Sequence, residues 1–267
     1  MSQSWDWSDP SFSGRINSIS RPSYAASGSI PASLMRGALF QGPASDGRIH
    51  LYGGTVYEGN TSFPGYSAPD SKPGVVWAFD PSNETWESYD ISGSAQYRPN
   101  HGADADAPEV GLGFYLGGQM DKGSLSAIGL KGNDTTKVGG MVVIDTNKHT
   151  AYNISTGNLE SAPRVGGTLA YLPNIGHKGI LVAIGGNTRD GASDSSVSGS
   201  TQRIVGPDGG GHVEYDSVDI FDVGTFFDNP NAQGVWYNQP TTGDIPQHRI
   251  DACVAVVSAP DNSSHHM

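Results

Sequence analysis

The side chains that do most protein chemistry are few in these 267 residues and widely spread. The single cysteine, Cys253, leaves no intrachain disulfide and no cysteine-built zinc or iron–sulfur cage. His265 and His266 adjoin near the end of the chain, and no other histidine pair has the spacing by which a helix or hairpin gathers a metal. Asp104, Asp106 and Glu109 alternate as calcium ligands could, but they lack the aspartate-rich, glycine-turned loop that collects six or more oxygens, so they read as a solvated turn. His212-Val-Glu214 is too sparse for hydrolysis, and neither Gly-x-Ser-x-Gly nor His-Glu-x-x-His occurs. In Gly111-Leu-Gly-Phe-Tyr-Leu-Gly117 the last glycine falls one position late for a dinucleotide loop, and the context is an apolar strand with no helix behind it. Gly206-Pro-Asp-Gly-Gly-Gly-His212 has no phosphate-loop lysine and reads as a flexible connection. No catalytic, cofactor-binding or metal-binding residue is assigned, and no cofactor is expected.

The composition narrows the partners as well. A formal charge of −12, from 27 acidic and 15 basic residues, argues against a surface that tracks nucleic-acid phosphates. The longest apolar run, Ile180-Leu-Val-Ala-Ile184, is far too short to span a bilayer, so no membrane span is expected in this chain. Its first ten residues have neither a basic region nor an apolar core, so the chain as given shows no signal peptide. With 37 glycines and 17 prolines, about a fifth of the sequence disfavours long helices, against a usual share of about 12%.

The elements that must position any site are set by a repeat. Three apolar runs end in a glycine pair: Gly53-Gly54, Gly117-Gly118 and Gly185-Gly186. Arg36, Arg98 and Arg164 precede these pairs by 17, 19 and 21 positions. After each pair comes a polar stretch and then a β-branched or aromatic run closed by an aspartate: Asp80, Asp145 and Asp222. Trp86 follows Asp80 by six positions, Ala151-Tyr152 stands there in the second unit, and Trp236 follows Asp222 by fourteen, across what reads as an insertion at 226–233. Each unit reads as four short strands, which predicts an all-β chain of propeller blades. A glycine pair lets the chain take positive φ as it leaves a strand and clears space beside the neighbouring blade.

These glycine pairs, with Phe79 and Trp86 seven apart in the strand pair that follows, resemble kelch repeats, the blades of the kelch and galactose-oxidase group of β-propellers. More narrowly, Gly111-Leu-Gly-Phe-Tyr-Leu-Gly-Gly118 and Val256-Val-Ser-Ala-Pro-Asp-Asn-Ser-Ser264 resemble fungal extracellular kelch proteins. Two departures stand out: the period exceeds the family's usual length of about 50 residues, and the second unit lacks the tryptophan. The resemblance implies blades at 36–97, 98–163 and 164–248, with 1–35 the remnant of a preceding blade and linker, and 249–267, opened by Arg249, the inner strand of a truncated fourth. Three complete blades fall short of the four to eight that close a ring, so an arc is expected.

The resemblance also implies the function classes to weigh. One is a non-catalytic scaffold for a protein or glycan ligand, extracellular or at the cell surface. The alternative is a fragment of a galactose-oxidase-like copper-radical oxidase, which needs a cysteine crosslinked to tyrosine. Cys253 stands four after Arg249, as Thr168 follows Arg164 and Phe40 follows Arg36, which places it in a repeated strand as a core residue. Asn60, Asn83, Asn133, Asn153 and Asn262 head glycosylation sequons, which joined to the resemblance favours a secretory-pathway parent. Ligand contact is expected on the long connections 55–74, 119–139 and 187–217, where Tyr57, Phe63, Tyr66, Met120 and Tyr215 are of the types enriched at binding hot spots.

Overall fold

The computed structural model describes residues 34–43, 45–56, 74–90, 98–124, 130, 134–159, 161–188, 211–229 and 233–267. They form three four-stranded antiparallel sheets in sequence order. The first comprises β1 (Leu34–Gln41), β2 (Ile49–Val56), β3 (Val75–Asp80) and β4 (Thr85–Asp90), paired in that order. The second pairs β5 (Ala103–Ala107), β6 (Leu112–Leu116), β9 (Met141–Asp145) and β10 (Thr150–Ile154). A two-residue ladder of β7 (Gln119–Met120) and β8 (Thr136–Lys137) extends its central hairpin. The third pairs β11 (Thr168–Leu172), β12 (Ile180–Ile184), β13 (Ser217–Asp222) and β14 (Val235–Pro240).

Burial follows position in the sheet. Central strands are covered on both faces and read as unbroken apolar runs: all five residues of β6 and the first four of β3 are buried. The fourth strands β4 and β14 face solvent and alternate with polar residues. Phe40, Tyr52 and Val76 of the first sheet pack with Tyr115, Ile144 and Ala151 of the second. Gly113 has no side chain because the Phe40 ring occupies that space, 2.6 Å from where a Cβ would lie. Phe114 and Met141 of the second sheet join Leu169, Leu181 and Phe221 of the third in a second core. Fully burying one such side chain stabilises by about 1.5–3 kcal/mol.

The structure corrects the sequence expectations in four places. The stretch at 226–233 begins inside a helix, α1 (Val223–Asp228), whose start is capped by Asp222 accepting from the Gly224 and Thr225 amides. Phe226, only 2% exposed, meets Tyr152 edge-on, so this insertion wedges between the second and third sheets. Asp104 and Asp106 stand on strand β5 and not in a turn. Residues 249–256 follow β11 as a fourth inner strand would but form no ladder; only β15 (Val257–Ser258) pairs, with β16 (His265–His266), the two histidines expected at a frayed end. Cys253, expected in the core, is exposed. A strand's inner side is buried only when the rest of its blade lies on it, and no described strand pairs with 249–256.

Candidate functional site

The three glycine pairs build one junction three times over. The first glycines, Gly53, Gly117 and Gly185, have φ of 74°, 63° and 63°, and the second, Gly54, Gly118 and Gly186, have 91°, 92° and 95°. The second glycine of each pair donates its amide to a carbonyl at the start of the next blade: Gly54 to Pro99 at 2.8 Å, Gly118 to Arg164 at 2.8 Å, and Gly186 to Arg249 at 3.1 Å. A Cβ on the first glycine would collide with that same carbonyl oxygen, at 2.6 Å for Gly53 and 2.8 Å for Gly185. Glycine is therefore required twice over, for its left-handed backbone and for the approach of the next chain segment. The long connections leave from this end of the sheets, and the links between blades arrive there. At the opposite end tight turns at 81–84 and 146–149 join the outer strands of the first two blades, and α1 lies between those of the third.

No family model matches the chain. A curated relative, a kelch repeat-containing protein of Arthroderma benhamiae, is 26% identical over 243 residues, covering 81% of this chain. This likeness supports a kelch-repeat family for the chain. The chain spans 32% of the length of that relative.

Within these blades the arginines are not equivalent. A Cβ at Gly54 would touch the Met35 carbonyl and the Gly37 amide; at Gly118, those of Asn100 and Gly102; at Gly186, those of Val165 and Gly167. The residues enclosed are Arg36, His101 and Gly166, and all three, with Asp251, have φ between 50° and 67°. Gly166 donates to the His101 carbonyl and Asp251 to the Gly166 carbonyl, both at 2.8 Å, so these positions link in a row along the inner strands. Arg36 is exposed, like Arg249, which contributes only its carbonyl to the junction. Arg98, 3% exposed, holds the turn at 121–124 by donating to the carbonyls of Gly123 at 3.1 Å and Ser124 at 3.4 Å. That turn reaches back to the first blade, where Thr55 donates its hydroxyl to Asp121 at 2.7 Å and Val56 its amide to the Gly123 carbonyl. Arg164, 2% exposed, forms a buried ion pair with Asp219, and both bond to Ser161. The sequence interval of 17 to 21 residues thus groups arginines with three different jobs.

The closing aspartates do share one job. Asp80 accepts from the Ser82 amide at 2.8 Å, Asp145 from those of Asn147 at 3.0 Å and Lys148 at 2.9 Å, and Asp222 caps α1. The aromatic marker is a cross-strand pair: Phe79 lies opposite Trp86 and Phe221 opposite Trp236, each with ring centroids 5.0 Å apart. The second blade has Ile144 opposite Ala151 at that register.

The inner strands enclose a groove of about 530 Å³, lined by His101, Asp104, Asp106, Thr168, Tyr171 and Asp251 among others. His101 Nδ1 lies 3.6 Å from Asp251 Oδ1, and burial holds its pKa below the ordinary histidine value. Burial pushes Asp106 up to about 6 and raises Asp104 too. Asp106 accepts the Gln41 amide at 2.7 Å, tying the inner strands of two blades together. Nothing in the sequence signals that these carboxylates line a groove, because the outward positions of β5 acquire a common space only when β11 and 251–256 come alongside.

Of the residues expected to face a ligand, Tyr57, Phe63 and Tyr66 lie outside the described residues. Met120 is half-buried on β7. Tyr215 sits against its own blade, its ring about 3.0 Å from a Cβ placed at Gly185. Among the sequons, Asn60 and Asn133 lie outside the described residues; Asn83 is exposed in the β3–β4 turn, Asn153 stands on β10, and Asn262 is exposed between β15 and β16. The copper-radical alternative gains no support from these placements or from the relative.

Proposed function

We propose that the chain is a non-catalytic kelch scaffold that binds a protein or glycan ligand through the face carrying its long connections, in a parent acting at the cell surface or outside the cell. The observation that carries this reading is the threefold junction. It ties the root of each long connection to the start of the next blade through a backbone hydrogen bond, so segments distant in sequence are held on one rigid face. Binding residues sit well on loops anchored to a stiff scaffold. On the opposite face the turns pinned by Asp80 and Asp145 are short, leaving little chain there in the first two blades to shape a recognition surface.

The test is a screen of the purified chain against a glycan array and a displayed library of secreted and cell-surface ectodomains, followed by variants of the best binder. Replacing 190–209 with a short Gly-Ser linker, or changing Tyr66→Ala, is expected to weaken capture while the thermal melt is preserved. Full affinity after both changes would remove the long-connection face as the site, and fractionation of the parent to the cytosol would remove the exterior location.

A further inference from the structure

We infer that Asn83 is an N-glycan acceptor, placed on the face opposite the proposed ligand surface; the inference rests on the exterior location proposed above. Residues 81–84 form the turn between β3 and β4, and all four are exposed. The sequon Asn83-Glu84-Thr85 folds on itself there. Asn83 Oδ1 accepts the Thr85 amide at 3.1 Å and the Thr85 hydroxyl at 2.5 Å, while Glu84 takes a left-handed φ of 57°. The turn is fixed on its other side by Asp80, whose Oδ1 accepts both the amide and the hydroxyl of Ser82. Two donors on the carboxamide oxygen hold the side chain in one orientation and make the Nδ2 hydrogens more acidic, and Nδ2 is the atom that must lose a proton.

In the reaction, Asn83 Nδ2 attacks C1 of a lipid-linked oligosaccharide diphosphate held by a membrane transferase. The C–N bond forms as the C–O bond to the diphosphate breaks. The bonding electron pair leaves with the lipid diphosphate, and one Nδ2 proton passes to a base of the transferase. All the contacts that prepare the amide lie within three residues, so they are available to a segment still emerging from the ribosome.

The other described sequons lack this arrangement. Asn262 Oδ1 accepts from Asn174 Nδ2 at 2.9 Å, so its amide oxygen is held by a distant residue and not by its own Ser264. Asn153 is exposed but stands on strand β10, and the third residue of its sequon, Ser155, donates its amide to Gln233 Oε1 of the third blade at 2.9 Å, so this sequon is held extended and does not fold on itself.

The experiment directs the chain into the secretory pathway of a eukaryotic host with an added signal peptide, then maps sites by enzymatic deglycosylation in heavy-oxygen water and peptide mass spectrometry. Asn83 is expected to carry the label in most copies, with Asn153 and Asn262 at background. Asn83→Gln and Thr85→Ala should abolish the label at this position, Thr85→Ser should keep it, and Asn83→Gln should leave the melt unchanged. Folded, secreted chain with Asn83 unmodified overturns the inference, as does label at Asn153 or Asn262 exceeding that at Asn83. If the signal-directed chain is modified at Asn83 but the parent from its own cells carries no glycan, the exterior location falls and the acceptor assignment stands.

Discussion

Gly53→Ala should destabilise the chain far more than its one added methyl group suggests. The new Cβ would lie 2.6 Å from the Pro99 carbonyl oxygen, whereas a carbon–oxygen contact settles at about 3.3 Å or more. The junction between the first two blades must then open by about 0.7 Å, which takes the Gly54 amide, now 2.8 Å from that same oxygen, to the limit of hydrogen bonding. Leaving that pair unmade costs about 1–3 kcal/mol. Holding an alanine at a φ of 74° costs about 1–2 kcal/mol more. Gly176 supplies the control: its φ is 71°, and nothing lies within 4 Å of where its Cβ would be, so Gly176→Ala incurs only the backbone cost. Urea denaturation followed by tryptophan fluorescence measures both, and the expected loss is about 3 kcal/mol for Gly53→Ala and about 1 kcal/mol for Gly176→Ala. Equal losses would show that glycine is there for its dihedral angle alone and that the carbonyl contact does not hold the blades together.

Asp219→Ala should cost about 3–5 kcal/mol in the same assay by stranding the buried Arg164 guanidinium, and Arg164→Met combined with Asp219→Leu should recover much of it; additive losses would show the two are not coupled. His50 is fully buried, bonds to the Tyr89 hydroxyl at 3.0 Å, and has its pKa lowered by desolvation from 6.5 to about 4. Folding therefore favours the neutral ring, so its contribution is intact above pH 6.5 and shrinks as the pH falls to about 4, by about 3 kcal/mol in all. His50→Asn should flatten that limb of the stability–pH curve, and an unchanged slope would refute the assignment. Asp106 has the opposite sign: its raised pKa favours the protonated carboxyl in the folded state, so stability drains away as pH rises from 3.8 through about 6, and Asp106→Asn should be the more stable protein at pH 7. Cys253 should react fully with a thiol reagent in native buffer, at a rate that denaturant barely increases; protection would contradict its exposure.

The sequence by itself determined the strands, their antiparallel partners within each blade and the glycine pairs. Those are local matters: a short apolar run between turn residues favours a strand where neighbouring runs can pair with it, and a positive φ favours glycine. The closing aspartates were legible for the same reason, since each bonds to amides two or three residues ahead. Only the tertiary structure decided which residues of different blades meet. Arg98 and Arg164 look alike at comparable distances from their glycine pairs, yet one holds a turn by its carbonyls and the other pairs with an aspartate 55 positions later. Cys253 has the sequence of a core position and an exposed side chain, because burial belongs to the neighbour that covers a strand and not to the strand itself. The groove has the same origin: Asp104, Asp106 and Asp251 are ordinary polar positions along their own segments, and the packing of three inner segments side by side makes them neighbours.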